Sequence, residues 1–300
     1  MVSITIERRE EGYMEAKLNV VILSHTPEFE QNIVRGARLC YSSASIEELR
    51  DKVTPEDAER FLKMILEIGH GSILEHSSIT FGIEGVSRSL THQLVRHRIG
   101  SSYSQKSQRY VSEGQFEYII PKPIAKYEAL KADYIKSMER LQEDYNHFTI
   151  GLMIEQIKEQ LEVGYANEKV QEALSRALEK EEVVQILKET DKKLYSKLEK
   201  IAIENARYVL PNACETKIQV TMNVRALFNF FKERLCDRAQ EEIRDLSFEM
   251  WKACMEISPT IFKYAVPTCV HGKCKEGKMS CGKMLYYKQK HGDIIKQYDK

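Results

Sequence analysis

Residues 216–235, TKIQVTMNVRALFNFFKERL, decide the fold class. Apolar and polar residues alternate as far as Met222, which is the period of a strand with one buried face. From Val224 the apolar positions recur at helical spacing, and the predicted helix continues to Ile257. A half-buried strand joined directly to a long helix indicates an α+β protein rather than a helical bundle.

Upstream of this stretch, strands and helices are predicted in alternation. The predicted elements are a buried strand over 18–24, a helix over 55–68, a strand over 77–84, a helix over 86–98 and a Gly/Ser loop over 100–104. Thr54 and Gly69 supply the expected caps of the helix over 55–68. We therefore predict a central mixed or antiparallel sheet flanked by long helices, in a single large domain.

A charged segment and a cysteine-bearing tail complete the predicted organisation. Residues 125–200 have a helical period, are rich in Glu and Lys, and contain no arrangement that suggests chemistry. We predict one domain over 1–265, in which 125–200 is a charged helical insertion, followed by a Cys/Gly/Lys-rich tail over 266–300.

Composition excludes several classes of partner. Lys plus Arg and Asp plus Glu number 45 each, and a general nucleic-acid or membrane-surface binder would need a basic excess. No apolar run reaches the roughly 18 residues that span a bilayer. Residues 1–11 lack the apolar segment of a secretory signal, and seven cysteines, an odd number, fit reduced thiols. We expect a cytoplasmic protein without nucleic-acid or membrane partners.

The densest polar cluster runs from Gln93 to Tyr110, QLVRHRIGSSYSQKSQRY. Helical periodicity predicts that Gln93, Arg96 and His97 share one face, and Ser and Gln side chains then lead to Arg109. Planar guanidinium groups with hydroxyl and amide donors bind phosphate, so the cluster is a candidate anion or nucleotide pocket. The alternative is a solvated basic end of a helix, since cations suit helix C-termini.

The order of residues in this cluster resembles the RHR…S motif of flavin-dependent thymidylate synthases. Further similar blocks are Gly69-His70-Gly71-Ser72 with Glu75-His76, Arg207-Tyr208-Val209-Leu210-Pro211, Asn223-Val224-Arg225-Ala226-Leu227 with Asn229, Phe230 and Arg234, and Arg238-Ala239-Gln240-x-Glu242-Ile243. These blocks lie within residues 36–120 and 200–245. The chain departs from the family at Ser104-Gln105, where an amide replaces the usual acidic residue, and its loop is one residue longer.

The resemblance implies methylation of dUMP to dTMP, with FAD as cofactor and NADPH and methylenetetrahydrofolate as co-substrates. It implies FAD contacts for His70, Ser72, Glu75, Arg96, His97, Arg98, Gln105, Asn223, Arg225 and Asn229. It implies dUMP contacts for Gln93, Arg96, Gln105, Ser107, Gln108, Arg109, Arg207 and Arg234. Arg234 is the implied catalytic residue, because a permanently charged guanidinium against uracil stabilises negative charge that develops on the ring.

The resemblance also implies a homotetramer whose active sites lie at subunit interfaces. Helical geometry agrees, because Arg225 and Asn229 are separated by about 40° while Arg234 lies about 180° from Arg225. A flavin ligand and a uracil ligand then project from opposite sides of one helix. Two copies of the helix from different subunits would complete one site.

The cysteines leave alternatives open. Zn²⁺ has four potential soft ligands in the tail, but their spacing lacks a C-x₂-C pair, and we expect no metal at Cys269, His271, Cys274 and Cys281. A non-enzymatic zinc- or RNA-binding protein is one alternative function, which predicts a colourless protein. A cysteine-dependent thymidylate synthase is another, which predicts one indispensable cysteine, with Cys236 nearest the catalytic helix.

Overall fold

The structure is a computed structural model that describes residues 14–40, 42–69, 71–109 and 114–298. The chain forms two compact units that are interleaved in sequence. Unit 1 takes in residues up to Ala16 and residues 106–215, and unit 2 takes in residues 17–105 and 216–300.

The described residues form a sheet and a series of helices. The strands are β1 (Asn19–His25), β2 (Ser78–Ser87), β3 (Ser101–Gln105) and β4 (Glu215–Asn223). The helices are α1 (Phe29–Leu39), α2 (Ile46–Lys52), α3 (Pro55–Ile68), α4 (Arg88–Leu94), α5 (Lys122–Ala125), α6 (Glu128–Glu162), α7 (Glu168–Ser175), α8 (Lys180–Thr190), α9 (Lys192–Ala206), α10 (Val224–Arg234), α11 (Glu241–Ile257), α12 (Pro259–Phe262), α13 (Thr268–His271) and α14 (Met284–Tyr298). Short 3₁₀ turns occupy Ser72–His76, Arg207–Val209 and Gly277–Met279.

The sheet has the order β1-β2-β4-β3 and is antiparallel. In the central pair, Thr80 Oγ1 lies 2.9 Å from Thr221 Oγ1, and Lys217 Nζ lies 2.8 Å from Glu84 Oε2. Rising numbers on β2 therefore face falling numbers on β4. The predicted α+β class with an antiparallel sheet and long flanking helices is confirmed.

One face of the sheet and the helices that cover it make the core of unit 2. Phe81 of β2 and Val220 of β4 are fully buried, as are Phe231 of α10 and Trp251 of α11. The Trp251 indole Nε1 donates to the Phe262 carbonyl oxygen over 2.9 Å, so its one polar group is satisfied. Burial of each such side chain contributes about 1.5–3 kcal/mol to the stability of the folded state. This gain explains why apolar residues alternate with polar ones along both strands.

Several predicted elements of unit 2 differ from the structure. The strand predicted as buried over 18–24 is the edge strand β1, in which Leu23 is 55% exposed. The helix predicted to run unbroken from 224 to 257 is divided into α10 and α11. Gln240 caps α11 by accepting from Ile243 N, and Asp237 in the break binds side chains from the tail, so tertiary contacts decide the interruption.

The loop predicted over 100–104 is also wrong, because Ser101–Gln105 is the strand β3. Its residues pair in register with β4, with Ser101 opposite Met222 and Gln105 opposite Ile218. Serine and glutamine side chains do little to favour a strand. Backbone hydrogen bonds to β4 therefore stabilise β3.

Unit 1 has its own cores. Helices α6 to α9 bury Ile157, Val170, Leu187 and Ala202 against one another. A second cluster lies around Phe116, whose backbone N–H donates to the Gln142 side chain over 2.8 Å. The helical character predicted for the insertion is confirmed, while the predicted domain limits remain a prediction. No helix among the described residues combines the length and apolarity needed to cross a membrane.

Candidate functional site

The segment that carries the RHR motif begins at a half-buried carboxylate, that of Glu242. Ser87 caps α4 by accepting from Leu90 N over 3.0 Å. Glu242 in turn accepts from the Ser87 backbone N–H over 2.7 Å and from its hydroxyl over 2.6 Å. Burial raises the pKa of Glu242, against the lowering effect of the two hydrogen bonds from Ser87. Glu242 therefore fixes the start of α4 to α11.

The RHR motif itself lies beyond the end of α4. The last helical hydrogen bond joins Val95 N to Thr91 O, so the prediction that Gln93, Arg96 and His97 share a helix face is wrong. The chain is held in a turn instead. The Tyr103 hydroxyl lies 3.1 Å from the Leu94 carbonyl and 2.5 Å from the His97 carbonyl. Burial raises the pKa of Tyr103, which keeps its phenol protonated as a donor.

His97 meets the predicted catalytic residue. Arg234 Nε donates to His97 Nε2 over 3.0 Å, and the imidazole packs edge-on against Phe230, with ring centroids 5.1 Å apart. Burial lowers the pKa of His97, and the positive charges of Arg234 and Arg96 lower it further. His97 is therefore held neutral, with Nε2 as the acceptor and the proton on Nδ1.

Asn223 joins the start of α10 to the turn after the RHR motif. Its side chain caps α10 by accepting from Ala226 N over 2.8 Å, and its backbone N–H donates to Gly100 O over 2.9 Å. Gly100 has φ +71°, and a Cβ there would lie 2.5 Å from Asn223 Nδ2. Only glycine fits this approach. Asn223 is therefore the N-cap of α10.

On the first turn of α10, Arg225 forms an ion pair with Glu75 over 2.5 Å. Both side chains are about half exposed, at 52% and 47%. The pair joins two residues that were both predicted to contact FAD. Arg225 and Arg234 bind different elements, which agrees with the opposite directions expected from their positions on the helix.

The other predicted residues of unit 2 point to solvent or lie partly exposed. Five of them form no side-chain hydrogen bond or ion pair within the part of the chain that the structure describes: Ser72, Gln93, Arg96, Arg98 and Asn229. His70 lies outside the described residues. Two exposed guanidinium groups with amide and hydroxyl donors are the groups that bind a diphosphate, so this donor set fits FAD.

Gln105, the departure from the family pattern, is tied into unit 2. Its Nε2 donates to Thr91 Oγ1 over 3.0 Å and to Thr216 Oγ1 over 3.3 Å. An amide can donate to both hydroxyls, whereas the carboxylate usual in the family can only accept. Gln105 thus links α4 to β4 by its amide nitrogen.

In unit 1 the predicted dUMP residues gather around Glu204. Arg109 pairs with the Glu204 carboxylate over 2.6 Å, and Arg207 Nε donates to the Glu204 carbonyl over 3.1 Å. Ser107 Oγ accepts from Arg109 N over 3.2 Å. Gln108 donates to the Cys214 sulphur instead. Two guanidinium groups with one carboxylate leave a net positive charge suited to a phosphate.

Several residues that order the site were not identified from the sequence. Glu242 stood inside a quoted family block, and Glu204 lies three residues ahead of another, so these two had a signal. Tyr103 lies inside the polar cluster Gln93–Tyr110 and Thr216 opens the predicted strand, but no pattern gave either side chain a role, and nothing in the sequence pointed to Thr91.

The residues considered for zinc are not arranged as a finished site. Among the described residues no group of three or more His, Cys, Asp or Glu side chains is placed to hold a metal ion. His271 Nε2 lies 2.8 Å from the Lys263 carbonyl oxygen. None of the seven cysteines forms a disulfide in the part of the chain that the structure describes.

Solved structures with a similar fold bind uridine nucleotides. A UMP/dUMP methylase from Streptomyces cacaoi bound with 5-Br dUMP matches with a TM-score of 0.57 at 18% identity, over 83% of this chain and 95% of that chain. Its structure bound with 5-Br UMP matches with a TM-score of 0.53 at 18% identity, over 84% of this chain and 97% of that chain. At this level of identity the likeness shows the fold alone.

Sequence relatives identify the family. The model of the thymidylate synthase complementing protein family, Thy1, matches residues 21–260. A flavin-dependent thymidylate synthase of Clostridium tetani is 45% identical over 272 residues, 91% of this chain and 96% of that protein. The enzyme of Geobacter sulfurreducens is 40% identical over 275 residues, which are 91% of this chain and 97% of that protein. The enzyme of Pyrococcus furiosus is 34% identical over 269 residues, which are 86% of this chain and 90% of that protein. The chain belongs to the thymidylate synthase complementing protein family.

Membership in this family of enzymes sets aside the non-enzymatic zinc- or RNA-binding alternative. The cysteine-dependent alternative is set aside too, since the relatives are named as flavin-dependent.

Proposed function

We propose that this protein methylates dUMP to dTMP, with FAD as bound cofactor, NADPH as reductant and methylenetetrahydrofolate as one-carbon donor. The hydrogen bond between Arg234 and His97 carries the proposal, because it fixes a permanently charged guanidinium beside the RHR motif. The relatives' name, flavin-dependent thymidylate synthase, supports it.

The FAD site that we propose lies on unit 2. Arg96, Arg98 and Arg225 would bind the diphosphate, with hydrogen bonds from Ser72, Asn223 and Asn229. His70 would be a further contact to FAD, as the family resemblance implies. The Glu75 carboxylate would orient Arg225 toward the cofactor. When bound, the flavin supplies the hydride that completes the methyl group.

The phosphate of dUMP would bind to Ser107, Arg109 and Arg207. Glu204 holds both arginines before substrate arrives, one by its carboxylate and one by its carbonyl oxygen. Such preorganisation lowers the entropy lost on binding. Gln93, Gln105 and Gln108 remain further candidate contacts to dUMP.

Arg234 would act on the uracil ring. A guanidinium has five N–H donors, and His97 takes only the one on Nε. The two terminal nitrogens stay available for the ring oxygen and nitrogen on which negative charge develops. Because His97 is neutral, it orients Arg234 without neutralising its charge. A donor fixed in this way lowers the barrier without reorganising during the reaction.

We further propose a homotetramer with active sites shared between subunits. Arg225 binds Glu75 while Arg234 binds His97, so the predicted flavin ligand and the predicted uracil ligand leave α10 in different directions. A neighbouring subunit would bring the missing half of each site.

The visible spectrum of the purified protein with saturating FAD tests the proposal first. A bound flavin spectrum is expected. NADPH-dependent release of tritium from dUMP labelled at C5, in the presence of methylenetetrahydrofolate, then tests the reaction. A protein that binds no flavin, or one that binds flavin and releases no tritium, would overturn the proposed function.

A further inference from the structure

Tyr103 closes the turn that carries the RHR motif. The backbone N–H of His97 donates to the Leu94 carbonyl oxygen over 3.2 Å, so residues 94–97 form a turn with Arg96 at its tip. The Tyr103 hydroxyl has one proton to donate, and the carbonyl oxygens at both ends of the turn share it, Leu94 O at 3.1 Å and His97 O at 2.5 Å. One side chain therefore joins the two ends of the turn.

The turn presents two arginines to solvent and holds the histidine between them inward. Arg96 and Arg98 are exposed, while His97 is half-buried. The His97 ring is held by the hydrogen bond from Arg234 and by its edge-on contact with Phe230. Its carbonyl oxygen is held separately, by the phenol. Because both the ring and the carbonyl of His97 are fixed, the backbone from which the two arginines leave is fixed as well.

The register of β3 in the sheet decides where the phenol points. Tyr103 pairs with Val220 of β4, which is fully buried, and residues directly opposite each other on antiparallel strands lie on the same face. Side chains alternate along a strand, and Ser102 and Ser104 are accordingly exposed. A shift of one residue would turn Tyr103 to the other face. The loop is one residue longer than is usual in the family, and its pairing with β4 puts a phenol against the RHR motif.

We propose that Tyr103 is a positioning residue for the FAD site, whose hydroxyl holds the turn over 94–97 in the form that directs Arg96 and Arg98 to the diphosphate. The inference rests on the proposed function, since it takes these arginines as ligands of FAD. Tyr103 acts through the two carbonyl groups and is assigned no contact with the cofactor. A turn that is ordered before FAD arrives loses less conformational freedom on binding, so the hydroxyl raises the affinity for FAD.

The test removes the hydroxyl alone. Tyr103→Phe keeps the ring that packs against the core of unit 2. With the full chain and added FAD, we expect quenching of flavin fluorescence to give a Kd about 3–10-fold higher than that of the unaltered protein, the effect of losing one hydrogen bond that orders a binding segment.

Tyr134→Phe is the matched control. Tyr134 is also half-buried, and its hydroxyl donates to a backbone carbonyl oxygen, that of Ile119 in unit 1, over 3.0 Å. Both variants lose one hydrogen bond from a phenol to the backbone, so they should lower the Tm by similar amounts. Only Tyr103→Phe should weaken the binding of FAD.

A double-variant cycle shows whether Tyr103 acts through the arginines. Arg96→Ala should weaken FAD binding by a smaller factor in Tyr103→Phe than in the unaltered protein, because an arginine on a loosened turn contributes less. An unchanged Kd in Tyr103→Phe, an equal rise in Tyr134→Phe, or effects of Tyr103→Phe and Arg96→Ala that multiply independently would each overturn the inference and leave the proposed function standing. An unaltered protein that binds no FAD would overturn the proposed function and this inference with it.

Discussion

Arg234 Nε donates a hydrogen bond to His97 Nε2 over 3.0 Å, which joins the last residue of α10 to the middle of the RHR motif. The bond needs a lone pair on the imidazole. Protonation of His97 would turn that acceptor into a second cation beside the guanidinium. The position of Arg234 and the protonation state of His97 are therefore coupled.

Replacement of Arg234 should separate cofactor binding from turnover. We expect Arg234→Ala to keep its flavin and to lower kcat by about 10²–10³-fold, the usual effect of removing one fixed donor to developing charge. Flavin absorbance and dTMP formation are the two measurements. Lys232→Ala, on the exposed side of the same helix, is the control and should turn over normally. Normal turnover in Arg234→Ala would remove the residue from the catalytic site.

The pH profile should report His97. Its folded-state pKa lies below the ordinary value of 6.5, so the neutral form and the bond to Arg234 persist at higher pH and are lost as the pH falls through the lowered pKa. We expect kcat to decline on the acid side below about 6.5. His97→Gln places an amide oxygen near the position of Nε2 and should flatten this decline. His92→Gln, an exposed histidine of α4, should leave it in place. A decline that persists in His97→Gln would mean that another group titrates.

Mixed oligomers should show whether sites are shared. Asn229→Ala and Arg234→Ala subunits are each expected to be inactive. Co-expressed with different affinity tags and purified through both, they should regain a fraction of activity, because some sites receive both intact residues. The absence of any activity in verified mixed oligomers would place both residues in one site of the same chain.

Glu204 should affect substrate affinity more than turnover. Its pair with Arg109 is partly exposed (44% and 34%), so solvent screens it and its loss costs less than about 1 kcal/mol. We expect Glu204→Gln to raise KM for dUMP about 2–5-fold at unchanged kcat. Glu199→Gln, the same change of charge on α9, is the control. A lower KM in Glu204→Gln would show that the carboxylate competes with the phosphate.

The free energy of unfolding should fall in acid because of His291, a buried residue of α14. The ring is buried against Trp251, and burial lowers its pKa from 6.5 to about 4. The unfolded chain takes up a proton between these values while the folded chain does not, so the free energy of unfolding falls as the pH falls. From pH 7 to pH 5 the loss is about 2 kcal/mol. Urea unfolding at both pH values measures it. In His291→Phe the pH-dependent part should shrink by that amount, and an unchanged difference would contradict the assignment.

Elements with local signals were predictable from the sequence. The helix predicted over 55–68 is α3, Pro55–Ile68, with Thr54 as its N-cap and Gly69 at φ +82° as its end. The signals for this helix all lie within one stretch of chain. The break between α10 and α11 had no such signal, because Asp237 finds its partner Tyr287 50 residues away.

The same distinction holds in the site. The family motifs named Arg234 and His97, but their mutual hydrogen bond spans 137 residues and could not be derived from spacing. Gln105 shows the limit most clearly. Its contact with Thr216 spans 111 residues, and the sequence showed only that an amide stood in place of a carboxylate.

Because the two units are interleaved in sequence, their elements leave the ribosome in an order that separates neighbouring strands of the sheet in time. β2 lies beside β4 in the sheet, yet about 130 residues separate them along the chain, most of them in unit 1. A ribosome adds about 5–20 residues per second, so β2 emerges roughly 10 s before its neighbour. Helices α6 to α9 have a core of their own and can fold during that interval. The nascent sheet meanwhile presents the unpaired backbone edge of β2, a template for pairing with other chains, until residues 215–223 leave the ribosome.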